Sequence, residues 1–424
     1  MNKTDFWLAG LCLMLMPLMG HAQSDDANQP QPEKKNIFNN VKKLAERSLV
    51  HGVDTNYIKM PDRPWQVSVT SRVAQTDLKM HSSIDGSDLF DGEGVMPDIL
   101  GVGDMTTEPR FMTKVSTSMG VKVGYKGLSV GYSFPVGGDK GQSLSFKSTG
   151  SWYAVNLRWH SFKAKSAKVS ITGQARVRDI IEDEEQLAEV ESFDDLFTDW
   201  SEDLTPWNYS DKEELPSHVS IKTLIFDGFY IFNHKTFSYG AAYNQKTIQV
   251  RSAGSPIAGL MGYYSDFKYN NPRNAELVYL MDGIGRLRQY QLALGAGYAY
   301  NYVPAKGWLV SAMAMPMITL VNRTRINTYT TNYKEKESEN FWMSVLSGEE
   351  TEVDPNEYEM TGSGVHSNNN KVALNFTTRM GVTYNWKRYF ISANGQFNNF
   401  HFSHSRTHGY LNDWYINAAV GVRL

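Results

Sequence analysis

The residues with the clearest chemical potential are six cations that alternate with apolar side chains along extended stretches. Successive side chains of a strand point to opposite faces, so each cation lies on the face opposite its apolar neighbours. If the apolar face meets lipid, the cations line an interior, where partly desolvated charge favours anions. The alternative is that they pair with inward acids or hydrate a polar interior. The six predicted interior-facing residues are Arg72, Lys114, Lys122, Arg158, Arg176 and Arg178.

A second candidate site is the Gly-rich segment 252–262, SAGSPIAGLMG. Glycine permits close backbone approach and unusual dihedral angles. We therefore predict that this segment folds inward as a constriction or plug; the alternative is an irregular strand pair with a bulge. The residues that begin this candidate constriction are Ser252, Ala253, Gly254 and Ser255.

Patterns for catalysis and metal binding are weak. His366 and Ser367 lie in a stretch superficially similar to the His–Ser motif of outer-membrane phospholipases, but neighbouring strand side chains point apart. His401, His404 and His408 cluster before the last strand, where a hydrated surface loop is favoured over a bound metal. The chain lacks a nucleotide-binding glycine loop and a zinc-type Cys/His arrangement. We expect no cofactor, no nucleic-acid partner and no catalytic site.

The stretch that best positions the cations runs from Phe111 to Phe134. Its apolar residues recur with a period of two, and Lys126-Gly127 forms a turn between two extended halves. The first half, Phe111–Tyr125, is far longer than a strand of about five or six residues in a globular sheet. A long hairpin with an apolar outer face and a Gly/Ser-rich inner face is what a membrane-spanning barrel requires.

The amino terminus predicts export. Lys3, an apolar run and the small residues up to Ala22 are typical of a secretory signal, so residues 1–22 are assigned as a signal peptide. The single cysteine, Cys12, lies inside it, so the mature chain uses no thiol chemistry. Residues 23–62 are predicted to form a periplasmic leader with a short amphipathic helix at 36–49. Residues 63–424 are predicted to form the barrel.

The alternation continues along the chain and predicts the topology. After the signal, no run of eighteen apolar residues occurs, which excludes a helical membrane protein. Strands are expected on both sides of a tight turn, at 219–232 and 237–250. Short turns are expected at 126–127, 161–167, 233–236, 303–307 and 387–388. Long segments are expected at 79–110, 179–217, 251–288 and 322–370.

Barrels of the outer membrane keep short turns in the periplasm and long loops outside. The expected fold is therefore an all-β, antiparallel, up-and-down transmembrane barrel with both termini periplasmic. It has about twelve strands if residues 251–288 contribute none, and fourteen if they contribute a pair. Twelve strands leave room for a narrow passage, between the filled interior of eight strands and the aqueous channels of sixteen.

The long segments hold most of the acidic residues. They predict contact with outer-membrane lipid and lipopolysaccharide, with divalent cations at the acidic loops as a further partner. The last strand, 414–424, is apolar at every second position. Its end resembles the signal by which barrel-insertion machinery recognises outer-membrane proteins, although Leu424 replaces the commoner aromatic residue.

Two short motifs resemble those of a known family. The first is Asp54-Thr55-Asn56-Tyr57-Ile58, and the second is Gln249 with the residues 252–255. They are similar to the signatures of the domain of unknown function 4421 family, regarded as outer-membrane β-barrels of Gram-negative bacteria. The resemblance implies location and fold, and it implies no reaction, cargo or catalytic residue.

Three functions are compatible with these observations. The leading hypothesis is a channel or transport-type pore for small solutes, with a preference for anions. The first alternative is a closed structural or surface-interaction barrel with acidic extracellular loops. The weakest alternative is a lipid-modifying outer-membrane enzyme.

Overall fold

The computed structural model describes residues 47–84, 102–136, 140–180, 197–200, 205–281, 283–333, 358–370, 372–404 and 407–424. Its strands are β1 (Ile58–Lys59), β2 (Trp65–Ile84), β3 (Val102–Thr113), β4 (Ser116–Tyr125), β5 (Leu128–Pro135), β6 (Lys140–Thr149), β7 (Tyr153–Ile180), β8 (Phe197–Trp200), β9 (Thr205–Ile231), β10 (Ile248–Gln249), β11 (Ala253–Lys268), β12 (Ile284–Tyr302), β13 (Trp308–Tyr333), β14 (Tyr358–Asn369), β15 (Leu374–Trp386), β16 (Tyr389–His404) and β17 (Thr407–Arg423).

Twelve of these strands close into one antiparallel barrel. Their order around the barrel is β2, β4, β5, β6, β7, β9, β11, β12, β13, β15, β16 and β17. The ring closes where β17 pairs with β2, from Arg423 opposite Gln66 to Thr407 opposite Ser82. Beyond that ladder, Trp65 and Leu424 exchange two backbone hydrogen bonds, of 3.2 and 2.9 Å. The predicted all-β class, antiparallel barrel and strand number of twelve are confirmed.

The outer surface of the barrel is apolar. Large hydrophobic side chains stay exposed at alternate positions, up to 67% for Met380, because the period of two puts them on the face away from the lumen. Such a belt would be unfavourable in water and is what lipid-facing strands require. Representative members are Val69, Val121, Val130, Tyr132, Leu294, Tyr298, Ile318, Leu374, Ile391 and Val420.

Aromatic pairs mark the edges of this belt. We call the end of the barrel at Trp65 and Leu424 the near end, and the opposite end the far end. At the near end Trp65 meets Tyr125 with ring centroids 4.9 Å apart, and Trp308 meets Tyr384 at 4.8 Å. At the far end the ring centroids of Tyr264 and Tyr290 lie 4.9 Å apart. Rings with an apolar body and a polar tip fit both borders of a bilayer.

Several strands continue beyond the belt at the far end. β7 is 28 residues long, so the predicted turn at 161–167 is wrong: these residues lie inside one continuous strand. Strands β3, β8 and β14 pair only with extensions of this kind, on β2, β7 and β13. Parts of the predicted long segments are therefore strand, while most of their acidic residues lie outside the described residues.

The opening hairpin is confirmed in outline and corrected in detail. Lys126 takes the left-handed conformation, with φ 44°, in the two-residue turn between β4 and β5. The predicted fifteen-residue strand Phe111–Tyr125 is instead two strands, because β3 ends at Thr113 and β4 begins at Ser116.

The largest correction concerns residues 237–268. Phe237–Val250 is not a barrel strand; it contains a π-helix at Gly240–Asn244 and the two-residue β10. The barrel strand at this position is β11, which contains the residues predicted as a constriction. Twelve is therefore the correct number of barrel strands, but the set differs from the predicted one, because β11 takes the place of the predicted strand 237–250.

Helices are few and short in the described residues. Residues 47–50 are helical, and the rest of the predicted leader helix, like the signal peptide, lies outside the described residues. A 3₁₀ turn at Pro272–Asn274 leads into helix α1 (Ala275–Leu280). No helix in the part of the chain that the structure describes is long and apolar enough to cross a membrane.

The far-end extension of β2 and β3 depends on ion pairs. Lys79 Nζ lies 2.7 Å from Glu108 Oε2, and Arg110 binds both carboxylate oxygens of Asp77 at 2.8 Å. The Lys79 hydrogen bond is the main cause that lowers the pKa of Glu108 below its ordinary value. The same bond raises the pKa of Lys79.

We expect acid to loosen this extension. A lowered carboxyl pKa means that the stabilisation is present above the unfolded value and is lost as the pH falls below about 4. Amide hydrogen exchange in the β2–β3 ladder, corrected for intrinsic rates, should accelerate there by a few-fold, since a partly exposed pair contributes less than about 1 kcal/mol. Glu108→Gln should show the faster exchange already at pH 7. If the wild type and Glu108→Gln showed the same pH dependence of amide exchange, the Lys79–Glu108 pair would not be the cause of the acid effect.

Candidate functional site: a plugged basic lumen

The lumen has two chemically different halves. Inward residues of β9, β11, β12 and β13 form a hydrophobic core, in which Met315 and Ile257 are nearly inaccessible. Gly259, Gly295 and Gly297 make room for it, because a Cβ at any of them would collide with Met315 or its neighbours. Inward residues of β4, β5 and β6 are mostly serine and glycine and leave space. The small inward residues are Ser118, Gly120, Gly131, Ser133, Ser143 and Ser145.

The segment 237–249, which we call the plug, folds into the lumen against the apolar half. Phe237 and Tyr239 are almost fully buried, and the Tyr239 ring stacks on Phe229 at a centroid distance of 5.6 Å. Tyr243 packs against Tyr239 at 4.8 Å and donates a hydrogen bond to the carbonyl of Arg379 at 3.3 Å. The apolar side chains that suggested a strand are buried here inside the barrel.

The tip of the plug reaches across to the polar wall. Gln245 takes a left-handed conformation, with φ 57°, and its Oε1 accepts from Lys122 Nζ at 3.3 Å. Lys246 Nζ donates to the carbonyl of Leu128 at 2.8 Å, and glycine at position 124 leaves the space that its ammonium occupies. The plug therefore contacts both halves of the lumen.

A buried ion pair holds the middle of the plug. Arg379 Nη2 lies 2.6 Å from Asp227 Oδ2, and both side chains are almost inaccessible. Arg379 Nη1 also donates to the hydroxyl of Tyr239, which accepts a further bond from Asn156 at 3.3 Å. Since buried charges are costly unless paired and hydrogen-bonded, this network favours one position of Tyr239.

The base of the plug pairs with the leader, and this pairing joins the two family-like motifs. β1 and β10 form a two-stranded sheet with Ile58 opposite Gln249. Asp54 shapes the first motif by accepting from the backbone N–H of Asn56 at 2.8 Å, and its own N–H donates to the carbonyl of Lys235 at 2.9 Å. The motif residues Asp54, Thr55, Asn56, Tyr57 and Ile58 thus lie under the near-end mouth.

The side-chain amide of Gln249, in the second motif, makes four hydrogen bonds. Its Oε1 accepts from the backbone of Ser238 at 2.9 Å and from Asn301 Nδ2 at 3.1 Å. Its Nε2 donates to the carbonyls of Thr236 at 2.6 Å and Arg251 at 2.9 Å. A buried amide with all these bonds fixes both ends of the plug to the barrel wall.

Four cations converge on a cavity in the open half of the lumen. The cavity measures about 80 Å³ and lies above the plug, with Tyr243 in its lining. The guanidinium carbons of Arg72 and Arg158 lie 4.2 and 4.3 Å from the Tyr415 ring centroid. Arg158 pairs with Asp413 at 3.3 Å, whereas Arg72 and Lys147 have no carboxylate within 4.0 Å among the described residues. The four lining cations, which we call the basic cluster, are Arg72, Lys122, Lys147 and Arg158.

The six predicted cations have different positions. Arg72, Lys122 and Arg158 lie in the cavity lining as expected. Lys114 is exposed in the break between β3 and β4, so it is not part of the basic cluster. Arg176 and Arg178 belong to the far-end extension of β7, and their side chains lie outside the described residues.

The predicted constriction is part of the barrel wall. Ala253, Gly254 and Ser255 begin β11. Ser252 precedes this strand, and its Oγ accepts a hydrogen bond from the backbone N–H of Val303 at 2.9 Å. Ser255 Oγ accepts from the backbone of Asn233 at 2.8 Å. The segment therefore forms neither a constriction nor an irregular strand pair with a bulge. From Ala253 onward it is one regular strand of the barrel wall.

Sequence reasoning missed Lys147 and Arg379. Arg379 lies on the face of β15 opposite its apolar residues, so the period of two could have identified it as facing the lumen. Lys147 lies in β6, a strand whose short Ser-rich sequence gave no clear apolar period.

The candidate metal and catalytic residues have these positions in the structure. No group of three or more His, Cys, Asp or Glu side chains there is arranged to hold a metal. His401 and His408 lie on the β16–β17 hairpin, and the ring of His408 is 4.7 Å from that of His81. His366 and Ser367 are consecutive in β14, where neighbouring side chains project to opposite faces.

A family profile decides the relationship of this chain to known proteins. The profile described as domain of unknown function (DUF4421) matches residues 203–423, more than half of the sequence. This chain belongs to the DUF4421 family. Its closed barrel with a lipid-facing apolar belt is the architecture of an outer-membrane protein. Comparison with curated proteins gives no match.

Solved structures with similarity to this DUF4421 chain are remote. The COG4313 outer membrane channel from Pseudomonas putida F1 is 9% identical with a TM-score of 0.27, covering 87% of this chain and 98% of that chain. The translocator domain of the autotransporter NalP from Neisseria meningitidis is 9% identical with a TM-score of 0.25, covering 92% and 94%. The outer membrane protease OmpT from Escherichia coli is 6% identical with a TM-score of 0.27, covering 86% and 97%. Similarities this weak carry no argument about function.

We expect Asp227→Asn to destabilise the barrel by about 3 kcal/mol, because it leaves the charge of Arg379 buried and unpaired. Urea unfolding of the refolded protein, followed by tryptophan fluorescence, measures the loss. Asp62→Asn, at the exposed near-end mouth, is the matched control. The double variant Asp227→Asn/Arg379→Gln should recover part of the loss, since no buried charge remains. A single variant as stable as the control would contradict the role of the ion pair.

Proposed function

We propose that this protein is a transport-type pore for small anionic solutes, closed in the present state by the plug. The observation that carries the proposal is the basic cluster, four cations on one lumenal cavity with only Asp413 paired to them among the described residues. Fixed cations in a partly desolvated passage favour anions over cations.

The arrangement of cavities supports a path along the open half. A second cavity of about 60 Å³ shares Arg72 and Ser133 with the cavity of the basic cluster and reaches Gln75 and Gln142 towards the far end. On the other side of Gln245 and Lys246, a cavity of about 270 Å³ occupies the near-end mouth. The plug tip therefore lies between two spaces that would otherwise form one route.

The orientation is part of the same proposal. The longest connections between barrel strands lie at the far end, between β2 and β4, β7 and β9, and β13 and β15. Barrels of this class keep their long connections outside. We infer that the far end is extracellular and that both ends of the barrel domain, with the leader, are periplasmic.

The plug and the basic cluster can be tested separately in planar bilayers. Wild-type protein should conduct rarely, and replacing residues 238–248 by Gly-Ser-Gly should give frequent, stable channels. In that open background, Lys122→Gln/Lys147→Gln should lower the anion-to-cation permeability ratio by at least about tenfold. A unit charge about 8 Å from an ion contributes about 2 kcal/mol at an effective dielectric constant of about 20.

Lys306→Gln/Lys387→Gln removes two cations from near-end turns and should leave the ratio unchanged. Folding of each variant is checked by its heat-modifiable mobility on a denaturing gel. A folded but electrically silent plug-deletion variant would refute the pore and support the closed structural barrel instead. Open channels without anion preference would refute the basic cluster as a selectivity site.

A further inference from the structure

The strongest feature outside the lumen is a band of cations on the outer face of the barrel near the far end. We call this set the basic collar. It spans β7, β9, β11, β12 and β13, which are neighbours in the barrel. Its members are Lys163, Lys222, Lys268, Arg286, Arg288 and Arg325.

The strand register places these side chains in two adjacent rows. In the first row Lys222 is opposite Asp266, Asp266 is opposite Arg288, and Arg288 is opposite Arg325. In the second row Lys163 and Lys268 are both opposite Ser220, and Lys268 is opposite Arg286. Residues that share a row share a face, and their strand neighbours, such as Leu287 and Ile326, are buried inward.

The basic collar has too few acids among the described residues to neutralise it. Asp266 is the acid in these rows, and Arg286 occupies both of its oxygens, at 2.8 and 2.7 Å. Like charges directly opposite each other on a sheet are destabilising, yet Arg288 and Arg325 are such a pair. Arg288 Nη2 donates to Asn327 at 2.8 Å, while its buried Nε has no partner in the described residues. An external anion bound between the two guanidinium groups would relieve this repulsion.

The height of the basic collar matches the border of the bilayer. One row nearer to the lipid belt lie Tyr264 and Tyr290, and below them the outward residues are apolar, as at Leu294. On β12, the outward residues from Tyr302 to Leu292 span about 25 Å along the barrel axis, the height of an apolar band. Arg288 therefore lies just beyond the hydrocarbon, at the level of lipid headgroups.

We propose that the basic collar binds the phosphate groups of lipopolysaccharide in the outer leaflet. The proposal uses the orientation given above, in which the far end faces outward, and is otherwise independent of transport. The planar guanidinium groups of Arg288 and Arg325 suit bidentate phosphate contacts, and Lys222 adds a point charge at the other end of the row. The acyl chains of the same molecule would lie on the apolar belt directly below.

The test measures binding of bisphosphorylated lipid A to the refolded full-length barrel in micelles, by native mass spectrometry across a lipid titration. Lys222→Gln/Arg288→Gln/Arg325→Gln should bind roughly a hundredfold more weakly, since each surface cation contributes about 1 kcal/mol towards an anionic lipid. The single variant Arg325→Gln, at an exposed position, should lose about fivefold and guards against misfolding of the triple variant. Arg288→Lys/Arg325→Lys keeps both charges but loses the bidentate contacts, so its affinity should lie between those of the wild type and the triple variant.

Three near-end substitutions, Arg251→Gln/Lys306→Gln/Lys387→Gln, form the charge-matched control and should bind as wild type. Lipid A from which both phosphates are removed should bind the wild type as weakly as intact lipid A binds the triple variant. If the wild type bound phosphate-free lipid A as tightly as intact lipid A, the acyl chains alone would be recognised and the proposal would be overturned. Wild-type affinity in the single and triple variants would overturn it as well.

Discussion

The structure depends on one seam, the ladder between the first and last barrel strands. In lipid, every backbone N–H and C=O needs a partner within the protein, so an open sheet edge is not tolerated. Pairing of β2 with β17 removes both edges at once. Closure then fixes an inside and an outside, and the period of two assigns each side chain to lipid or lumen. The apolar belt, the basic cluster and the basic collar all follow from that assignment.

The interior combines two ways of filling a barrel of this size. One half is packed like the core of a globular protein, with methionine and aromatic side chains against the plug. The other half is lined by serine, glycine and cations, which leave cavities. The Asp227–Arg379 pair lies where the halves meet and offsets the cost of a buried guanidinium by binding a carboxylate and a phenol at once. Arg72 and Lys147 have no carboxylate partner among the described residues, so their cavity is lined by positive charge that is not compensated there.

The sequence predicted the barrel and its strand number because lipid imposes a regular apolar period. It failed where the environment of a strand changes. β7 leaves the membrane near Lys163, so its outer face becomes polar while its backbone ladder continues. β13 has a bulge between Thr319 and Val321, which places Leu320 and Val321 both outward and hides the strand beyond them. β11 is apolar on both faces because its inward side packs on the internal core while its outer side meets lipid. The plug resembles a strand in sequence because apolar residues recur at Phe237, Tyr239, Ala241 and Tyr243, although the whole of 237–247 is buried.

The short sheet of β1 and β10 gives the plug a third point of attachment. Covalent connections to β9 and β11 provide two, and a segment held at two points can still rotate about the line that joins them. The pairing of Ile58 with Gln249 adds a backbone contact to a strand that comes from the leader. Beside the side-chain contacts of the plug with the barrel, residues that precede the barrel in the chain therefore help to hold the plug in the lumen.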